Sequence, residues 1–367
     1  MLIVLDCGIE SPSAMVRGVQ YDELFKRHAE WHADYVSRRS LFMSRLLRPG
    51  HRPSVDFAVL TLRRSLERLN ERMIRSGEDR IVEQAAAYDI VYELKVPSMP
   101  LHERLCALRG PRVVMDLSDG LWLPFHRRAG WEPLDEMLKS AGGVICENEY
   151  GAKYARQRNA HVFVVPDPPQ VEEFDAARGR ISRDPARVVL GWIGSPATVS
   201  ALYKIWEPLE ALFARHAALH LRIVGASPSD LPRFERVRWS CRPVYDQQAM
   251  VEEVLAMDIG LFPLFQNDES LARGTLKAMV YMSGGAAAVC QDLGENQRLI
   301  ADGVNGALAE TDQEWFDKLD RLITCPEERR TIAQNGLATI HERFTRQKCF
   351  EQLVGVFDRL CDGADTA

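Results

Sequence analysis

Short apolar runs alternate with amphipathic segments along most of the chain. Runs that predict buried strands occupy residues 2–5, 89–94, 112–117, 142–148, 161–167, 188–194, 220–226, 258–264 and 286–290, and a shorter strand is expected within 237–244. Apolar residues at helical spacing predict helices at 101–108, 132–140, 149–157, 198–217, 247–256, 273–283, 313–324, 327–343 and 347–360. This alternation is typical of α/β proteins whose parallel sheets are covered by helices on both faces.

Residues 15–80 show a less regular pattern. Near-helical spacing of apolar residues predicts a long helix from about residue 15 to 47, and residues 54–62 alternate like a strand. The amphipathic helix that follows, at 62–73, has a polar face rich in arginine. One interpretation is that these arginines bind an anionic acceptor or anionic lipid. The alternative is that they are solvated and that glutamates on the same helix offset their charge.

A segment rich in proline and charge separates two α/β runs of similar length. We interpret residues 169–186 as a linker between an N-terminal domain, 1–168, and a C-terminal domain, 187–344. The last amphipathic helix, 345–361, is expected to pack back on the N-terminal domain. Within the helix 327–343, the pair Asn335–Gly336 predicts a bend or a break.

Composition narrows the class of protein. The 367 residues are 46% hydrophobic and 27% charged, as in soluble globular proteins, and the net charge of −6 argues against a dedicated nucleic-acid-binding protein. The eight cysteines form no CxxC pair, so neither a zinc site nor a disulfide framework is indicated. Asp116 and Asp119 are a weak candidate for a metal site. A cytoplasmic location is expected, peripheral at the inner face of a membrane if the arginines bind lipid.

The stretch 268–305 carries the clearest chemical signal. Arg273 and Gly274 open a predicted helix, and Lys277 lies one turn inside it. Free backbone N–H groups and the positive end of the helix dipole favour an anion at such a position. The arrangement suits the phosphates of a nucleotide, and the alternative is ordinary α/β packing with one surface lysine.

Several segments resemble those of the retaining glycosyltransferases of family four, which have the GT-B fold. The matching segments are DIVYELK (89–95), VVMDLSDGLW (113–122), GGVICENEYGAKYA (142–155), VVLGWIGSPAT (188–198), LRIVGA (221–226), MDIGLFPL (257–264), KAMVYMSGGAAAV (277–289) and LIADGVNGAL (299–308). They occur in the family's order and cover nearly the whole chain. The resemblance implies two Rossmann-like domains that face each other across a cleft. It also implies transfer of a sugar from a nucleotide-sugar donor with retention of configuration, without a metal or other cofactor.

The resemblance assigns the donor mainly to the C-terminal domain. Lys277 matches a lysine that relatives use in a phosphate-facing helix, and Arg273 is a second cation for the charge that builds on the leaving diphosphate. The candidate donor-binding residues are Gly194, Ser195, Gly225, Trp239, Arg242, Gly274, Thr275 and Val280. Many relatives carry an arginine and a lysine after the first glycine, where this chain has Ser195 and Ser200.

The chain departs from the family at two acidic positions. Relatives have two glutamates eight positions apart, which contact the donor sugar and the ribose, and the matching residues here are Ala272 and Val280. Hydrogen bonds to such charged groups are worth roughly 1.5–3 kcal/mol each. Three explanations stay open: the ribose is held otherwise, the donor is unusual, or catalysis has been lost.

On the acceptor side, the resemblance points to residues after the first strands of the N-terminal domain. Gly8 and Ser13 belong to the loop that faces the acceptor in relatives, and Arg17 matches one of two arginines common after that loop. Asp119 matches an aspartate after a strand, and His126 is the histidine nearest to the expected cleft. We expect Lys277, Arg273, Asp119 and His126 to be the catalytic residues, although His126 can equally be a surface loop residue.

Two other functions fit the same fold. A catalytically silent GT-B protein that serves as a scaffold or partner subunit would explain the missing glutamates, and a sugar-nucleotide epimerase would need carboxylates in the cleft. The sequence leaves open the sugar, the base, the acceptor and the oligomeric state.

Overall fold

The computed structural model describes residues 1–6, 12–38, 57–230, 236–243 and 246–362. The chain divides into two compact units, Met1–Val165 with Phe350–Ala367, and Pro166–Cys349. Each unit contains a six-stranded sheet whose neighbouring strands pair in parallel. This architecture confirms the α/β class predicted from the alternation of strands and helices. No helix in the described ranges combines the length and the apolar character that a membrane crossing requires.

The sheet of the first unit has the order β2-β1-β3-β4-β5-β6. Its strands are β1 (Leu2–Leu5), β2 (Asp34–Ser37), β3 (Ile90–Leu94), β4 (Arg112–Leu117), β5 (Gly143–Cys146) and β6 (Val162–Val164). The α-helices are Pro12–Arg17, Asp22–Arg27, Phe57–Ala85, Met99–Cys106, Pro124–His126, Leu134–Ser140 and Glu149–Ala155, and the π-helical turn Arg127–Trp131 follows the fifth. The central strands β1 and β3 are fully buried, as expected for apolar runs covered on both faces.

The long helix predicted from residue 15 to 47 is wrong up to residue 38, and the rest of that range lies outside the described residues. Two short helices are followed by the edge strand β2, which pairs with β1 from Leu2 opposite Asp34. His28 ends the second helix, because its Nδ1 accepts the backbone N–H of Trp31 at 3.0 Å and that of Glu30 at 3.3 Å. A side chain that bonds local backbone in this way competes with continuation of the helix.

The strand predicted at residues 54–62 is also wrong from residue 57 onward. The helix Phe57–Ala85 includes that segment and extends far beyond it. A short alternating run fits a strand or one face of a helix, and the long amphipathic pattern downstream decides in favour of the helix. The part of this expectation before residue 57 lies outside the described residues.

The sheet of the second unit has the order β12-β11-β10-β7-β8-β9. Its strands are β7 (Val188–Ile193), β8 (Leu219–Val224), β9 (Trp239–Arg242), β10 (Ile259–Phe262), β11 (Ala287–Gln291) and β12 (Ala307–Ala309). The α-helices are Val171–Ala177, Trp206–Arg215, Gln247–Leu255, Asp268–Leu271, Leu276–Ser283, Asn296–Leu299, Asp312–Thr324 and Pro326–Arg343, and 3-10 turns occupy Val199–Ile205 and Pro228–Asp230. Apolar clusters pack on both faces of the sheet.

The range 169–186, interpreted as a linker, contains the helix Val171–Ala177. Val171 and Phe174 are fully buried in a core cluster of the second unit, so this part of the range is packed structure. The break considered at Asn335–Gly336 does not occur, because the helix Pro326–Arg343 is continuous. A Cβ on Gly336 would lie 2.9 Å from the carbonyl oxygen of Asn305, so the glycine allows close approach of this backbone to the helix.

The helix Arg346–Asp362 contributes most of its apolar residues to the first unit. Phe350 packs edge-to-face on Phe25 with ring centroids 4.8 Å apart, and Phe357 contacts Trp31 and Tyr92 at 5.4 and 5.7 Å. The indole N–H of Trp31 also donates to Asp358 at 2.7 Å. These contacts make the end of the chain part of the first unit's core.

Candidate functional site

The strand order of the second unit creates a switch point between β7 and β10. The chain continues from β7 toward β8 on one side and from β10 toward β11 on the other. In parallel α/β sheets, ligands bind outside the carboxyl ends of the strands at such a point. We therefore expect a ligand site near the residues that follow β7 and β10 and near the helix Leu276–Ser283.

The hydroxyl of Tyr281 bridges the two strands where they separate. β7 and β10 pair directly at Leu190 with Ile259 and at Gly191 with Gly260. Beyond this pairing, the Tyr281 hydroxyl accepts the N–H of Ile193 at 2.9 Å and donates to the carbonyl oxygen of Leu261 at 3.0 Å. The helix Leu276–Ser283, which we call the lysine helix, is thereby fixed to both strand ends.

Lys277 lies one turn before Tyr281 on the lysine helix and points toward the switch point. Its Nζ is 4.7 Å from the ring centroid of Trp192 and 5.8 Å from that of Phe262, and it donates to Thr198 Oγ1 at 3.3 Å. Among the described residues, no carboxylate forms an ion pair with it. Burial, assisted by the charge of Arg273, lowers the pKa of Lys277 to about 7. The site thus contains a cation that lacks an acidic partner within the described ranges.

Gly194 allows this cation to approach the end of β7. A Cβ at Gly194 would lie 2.6 Å from Lys277 Nζ and 2.5 Å from the Trp192 ring, distances that real side chains do not tolerate. The N–H of Gly194 continues the sheet by donating to Val224 at 3.0 Å. Ser195 follows as an exposed residue. The structure therefore places Lys277 Nζ beside Gly194, and Ser195 is the next residue of the chain.

Arg273 lines a small cavity beside the lysine helix. The cavity has a volume of about 190 Å³ and also borders Thr198, Phe265 and Ser270. The guanidinium of Arg273 bonds Glu269 at 2.5 Å, across one turn of chain. It is partly exposed, so the pair leaves it accessible to a ligand. Arg273 therefore adds positive charge close to Lys277 while its own charge is partly balanced.

Gly274 and Thr275 lead into the lysine helix. The hydroxyl of Thr275 donates to Asn296 Oδ1 at 2.7 Å, and Asn296 Nδ2 donates to the carbonyl oxygen of Gln291 at 3.0 Å. These bonds tie the start of the lysine helix to the carboxyl end of β11. Thr275 therefore positions this turn, and its hydroxyl hydrogen is already used within the protein.

The two positions where relatives have glutamate are both buried. Ala272 is 1% exposed, and Val280 is 6% exposed and packs in a core cluster of the second unit. Val280 was predicted as a donor-binding residue, but its side chain belongs to the hydrophobic core. Neither side chain supplies a hydrogen-bonding group for a ribose or a sugar.

The remaining donor-side candidates lie around β8 and β9. Gly225 has φ +91° and donates its N–H to the carbonyl oxygen of Arg242 at 2.8 Å. Trp239 is half-buried against the core, and the guanidinium of Arg242 pairs with Glu253 at 3.2 Å. The glycine turn thus extends the same sheet edge, whereas the side chains of Trp239 and Arg242 are engaged within the unit.

The candidates of the first unit occupy the carboxyl edge of its own sheet. Asp119 has φ +56°, is ion-paired with Lys95, and donates its N–H to Glu147 Oε1 at 2.7 Å. His126 is half-buried in the short helix after β4, next to the exposed Phe125. Asp119 and His126 both follow β4 in the chain, and Asp119 is engaged with Lys95 and Glu147.

Arg17 is placed differently from the expectation. It is 6% exposed, forms an ion pair with Asp116 at 2.7 Å, and donates to the carbonyl oxygen of Val165 at 2.9 Å. Its burial favours a structural role over direct contact with an acceptor. Gly8 lies outside the described residues, and the side chain of Ser13 is not described.

A larger cavity, of about 660 Å³, lies at the amino ends of β7 and β10. Five arginines line it: Arg178, Arg183, Arg187, Arg329 and Arg330. Arg183 donates to the carbonyl oxygens of Leu255, Gly284 and Gly285 at 2.8–3.1 Å, and Arg178 donates to Ser283 at 2.7 Å. Arg178 and Arg183 thus bind carbonyl oxygens at the ends of helices, which explains these two residues without a ligand. We therefore place the candidate site at the opposite edge, around Lys277.

Sequence reasoning missed four residues of this site: Trp192, Thr198, Phe262 and Tyr281. Trp192 and Phe262 lie within apolar strands, where an aromatic residue is normally core. Tyr281 lies within a helix whose partners are far away in sequence. The sequence GWIG at the end of β7 is a signal for this site, since a glycine directly after a strand permits close approach of another group. In the described ranges, no group of acidic, histidine and cysteine side chains could hold a metal.

No model of a known protein family matches the chain, and no curated protein matches it by sequence. Solved structures do match it over nearly its full length. The structure of the Anabaena protein HepE with UDP and glucose is 16% identical, covers 98% of this chain and 99% of its own, and has a TM-score of 0.66. Sucrose-phosphate synthase from Thermosynechococcus elongatus is 14% identical, with 99% of each chain covered and a TM-score of 0.66.

A third structure agrees with the first two. The α,α-trehalose 6-phosphate synthase from Burkholderia multivorans is 12% identical, covers 99% of this chain and 97% of its own, and has a TM-score of 0.65. At these identities the likeness shows the fold, and the chain has the GT-B fold predicted from the resemblance of its segments.

Proposed function

We propose that this chain is a glycosyltransferase that takes a sugar from a nucleoside diphosphate sugar and binds the diphosphate at Lys277. The observation that carries this proposal is the half-buried ammonium group at the switch point, which has no acidic partner in the described ranges. A phosphate would supply the missing negative charge, and Gly194 leaves room for it. The fold adds support, since the HepE structures contain UDP and, in one case, UDP-glucose.

The chemistry follows from where negative charge develops. When the glycosidic bond to the donor breaks, charge builds on the leaving diphosphate, and Lys277 with Arg273 stabilises it. We infer transfer with retention of configuration, in which the leaving phosphate accepts the proton of the attacking hydroxyl. The acceptor is assigned to the edge of the first unit that carries Asp119 and His126. No metal is needed in this scheme, because Lys277 and Arg273 stabilise the negative charge of the leaving diphosphate.

Nucleotide binding tests the proposal. UDP, GDP, ADP and TDP are titrated calorimetrically against the wild type and against Lys277→Met, which keeps most of the packing on Trp192. The hydrogen-bonded charge pair between Lys277 and a phosphate is worth about 1.5–3 kcal/mol, so its loss should raise the dissociation constant of the best nucleotide roughly 10- to 150-fold. Lys318→Met is the matched control, because Lys318 already pairs with Asp302 at 2.7 Å in the same unit. Equal affinity in the wild type and Lys277→Met would refute the assignment of Lys277.

Turnover is tested separately from binding. The donor identified by the nucleotide screen is incubated with the enzyme, and release of nucleoside diphosphate is measured without acceptor and with candidate hydroxyl acceptors. The anomeric configuration of any product, read by NMR, decides whether transfer proceeds with retention. A product of inverted configuration would contradict the proposed course of the reaction while leaving the nucleotide site intact.

A second function is favoured by the buried Ala272 and Val280. Because these positions offer no carboxylate to the donor, the protein can be a catalytically silent GT-B subunit that acts as a scaffold. Binding of a nucleotide without any release of diphosphate from its sugar donor would favour this function. Release that depends on Lys277 would exclude it.

A further inference from the structure

A buried acid–histidine pair in the first unit lies directly behind a surface thiol. Glu93 is on the central strand β3, while His102 and Cys106 lie one turn apart on the helix Met99–Cys106. His102 Nδ1 is 2.6 Å from Glu93 Oε2, and its Nε2 is 3.5 Å from Cys106 Sγ and 3.0 Å from Ser140 Oγ. This is the order carboxylate, imidazole, nucleophile that activates cysteines and serines in enzymes.

The burial of this pair requires an explanation. Glu93 is 2% exposed and His102 is completely buried, and Oε1 of Glu93 finds no hydrogen-bond partner within the described ranges. Placing such groups in a core costs several kcal/mol, which apolar residues of similar size would avoid. Cys106, in contrast, is half-buried at the surface. The polar groups thus lead from the interior to a sulfur that solvent can reach.

Of the two possible nucleophiles, Cys106 is the better placed. The hydroxyl of Ser140 donates to the carbonyl oxygens of Glu136 and Met137 at 2.9 and 3.2 Å, so its hydrogen is used within its own helix. The thiol of Cys106 has a weaker contact, donating to the carbonyl oxygen of Ser140 at 3.6 Å. Sulfur is also the stronger nucleophile of the two.

We propose that Cys106 is a reactive thiol, activated by His102 and Glu93, and that small-molecule disulfides modify it reversibly. In the step, Sγ attacks one sulfur of the disulfide, an S–S bond forms to Cys106, and the original S–S bond breaks. His102 Nε2 holds the thiol proton before the attack and gives it to the departing thiolate, which leaves as a free thiol. Cys106 is oxidised, and the departing half of the disulfide is reduced. A second thiol reverses the reaction by the same exchange.

The charge state of His102 supports this role. Burial opposes its positive charge, but hydrogen bonds with Cys106 and Glu93 raise the pKa of His102 to about 10. An imidazolium N–H beside sulfur stabilises the negative charge that sulfur carries as it attacks. Glu93 fixes the ring by accepting from Nδ1 and leaves Nε2 directed at Cys106 Sγ and Ser140 Oγ.

Reaction rates of individual cysteines test the proposal. The intact protein is treated with oxidised glutathione, and the modified fraction of each cysteine is followed by peptide mass spectrometry. Cys241 and Cys361 are internal controls, because they are free and half-buried like Cys106. We expect Cys106 to react about tenfold faster than either, because an ordinary thiol is only a few per cent thiolate at pH 7 and the imidazolium favours the thiolate.

Variants separate activation from exposure. His102→Gln and Glu93→Gln should each reduce the Cys106 rate about tenfold toward that of Cys241, because the imidazolium that stabilises the anionic sulfur is removed or loses its orientation. If His102→Gln does not fold, the reaction rates of the three cysteines in the wild type still test whether Cys106 is activated. A Cys106 rate in the wild type no higher than those of Cys241 and Cys361 would overturn the proposal, as would a rate unchanged in a folded His102→Gln variant.

Discussion

At the scale of single residues, Lys277 contacts an aromatic ring and a hydroxyl, so its ammonium group stays available to an anionic ligand. Trp192 offers its ring face to the ammonium group, and Thr198 offers one oxygen. Both are weaker partners than a carboxylate, so an incoming phosphate does not have to displace an ion pair. The lysine helix and its lysine could be predicted from the sequence. The partners could not, because Trp192 and Thr198 are far from Lys277 along the chain.

The lowered pKa of Lys277 predicts a pH dependence of nucleotide binding. The pKa is about 7 in the folded protein and 10.5 ordinarily, so the lysine of the free protein loses its proton above pH 7. A phosphate binds the charged form, so binding takes up a proton in this range. The dissociation constant should therefore rise up to about tenfold per pH unit above pH 7.

Calorimetry between pH 6 and 9, in two buffers of different ionisation enthalpy, measures both the affinity and the proton uptake. Lys277→Met should bind weakly and without the Lys277-linked proton uptake at alkaline pH. An affinity of the wild type that stays constant from pH 7 to 9 would contradict a neutral Lys277 in the free protein. The same pKa implies that Lys277 makes folding more favourable as the pH rises from 7 to 10.5, because the unfolded chain then binds more protons.

At the scale of elements, the meeting of β7, β10 and the lysine helix depends on one hydroxyl. Replacing Tyr281 by phenylalanine keeps the ring beside Gly260 but leaves a buried N–H of Ile193 and a carbonyl oxygen of Leu261 without this partner. Each buried group left unsatisfied costs about 1–3 kcal/mol. We expect Tyr281→Phe to lower the melting temperature and weaken nucleotide binding, because Lys277 loses its fixed position.

Thermal unfolding and titration with the best nucleotide measure these two effects. Tyr88→Phe is the control, since the hydroxyl of Tyr88 bonds Asp34 at 2.7 Å at an exposed site. That control should change the melting temperature little. An unchanged melting temperature in Tyr281→Phe would show that the hydroxyl bridge contributes nothing measurable.

The errors in predicted elements have a common physical origin. Strong apolar runs such as 188–194 were placed correctly, because a strand covered on both faces has a continuous pattern. The edge strand β2 is only partly buried. Its apolar residues continue the near-helical spacing of the preceding segment, so the sequence predicted a helix there. The turn at His28 that separates it from the preceding helix is made by a side-chain bond to backbone. Spacing of apolar residues contains no information on such a bond.

At the scale of the whole molecule, the segment order predicted the fold better than it predicted individual side chains. Two successive α/β runs are sufficient to specify two parallel sheets, and the solved structures confirm the GT-B fold at 12–16% identity. The site is less predictable, because Arg17 and Val280 match family positions yet are buried in this chain. Burial at one position is set by packing of the whole unit, which a local motif does not encode.

The return of the C-terminal helix to the first unit gives a prediction for the whole chain. Phe357 is fully buried between Trp31 and Tyr92, so Phe357→Ala leaves a cavity that costs about 3–5 kcal/mol. For a unit of this size, the corresponding fall in melting temperature is roughly 10 °C. The second unit does not contain this residue, so nucleotide binding should persist below the transition.

Differential scanning calorimetry with and without nucleotide checks this expectation. Phe125→Ala is the control, because Phe125 is 78% exposed and its loss removes little buried surface. The nucleotide should raise the transition of the second unit in the wild type and in both variants, since ligand binds only its folded form. If the first unit unfolds at the same temperature in Phe357→Ala as in the wild type, the C-terminal helix does not stabilise that unit. Loss of nucleotide affinity in the folded variant would show that the first unit controls the site around Lys277.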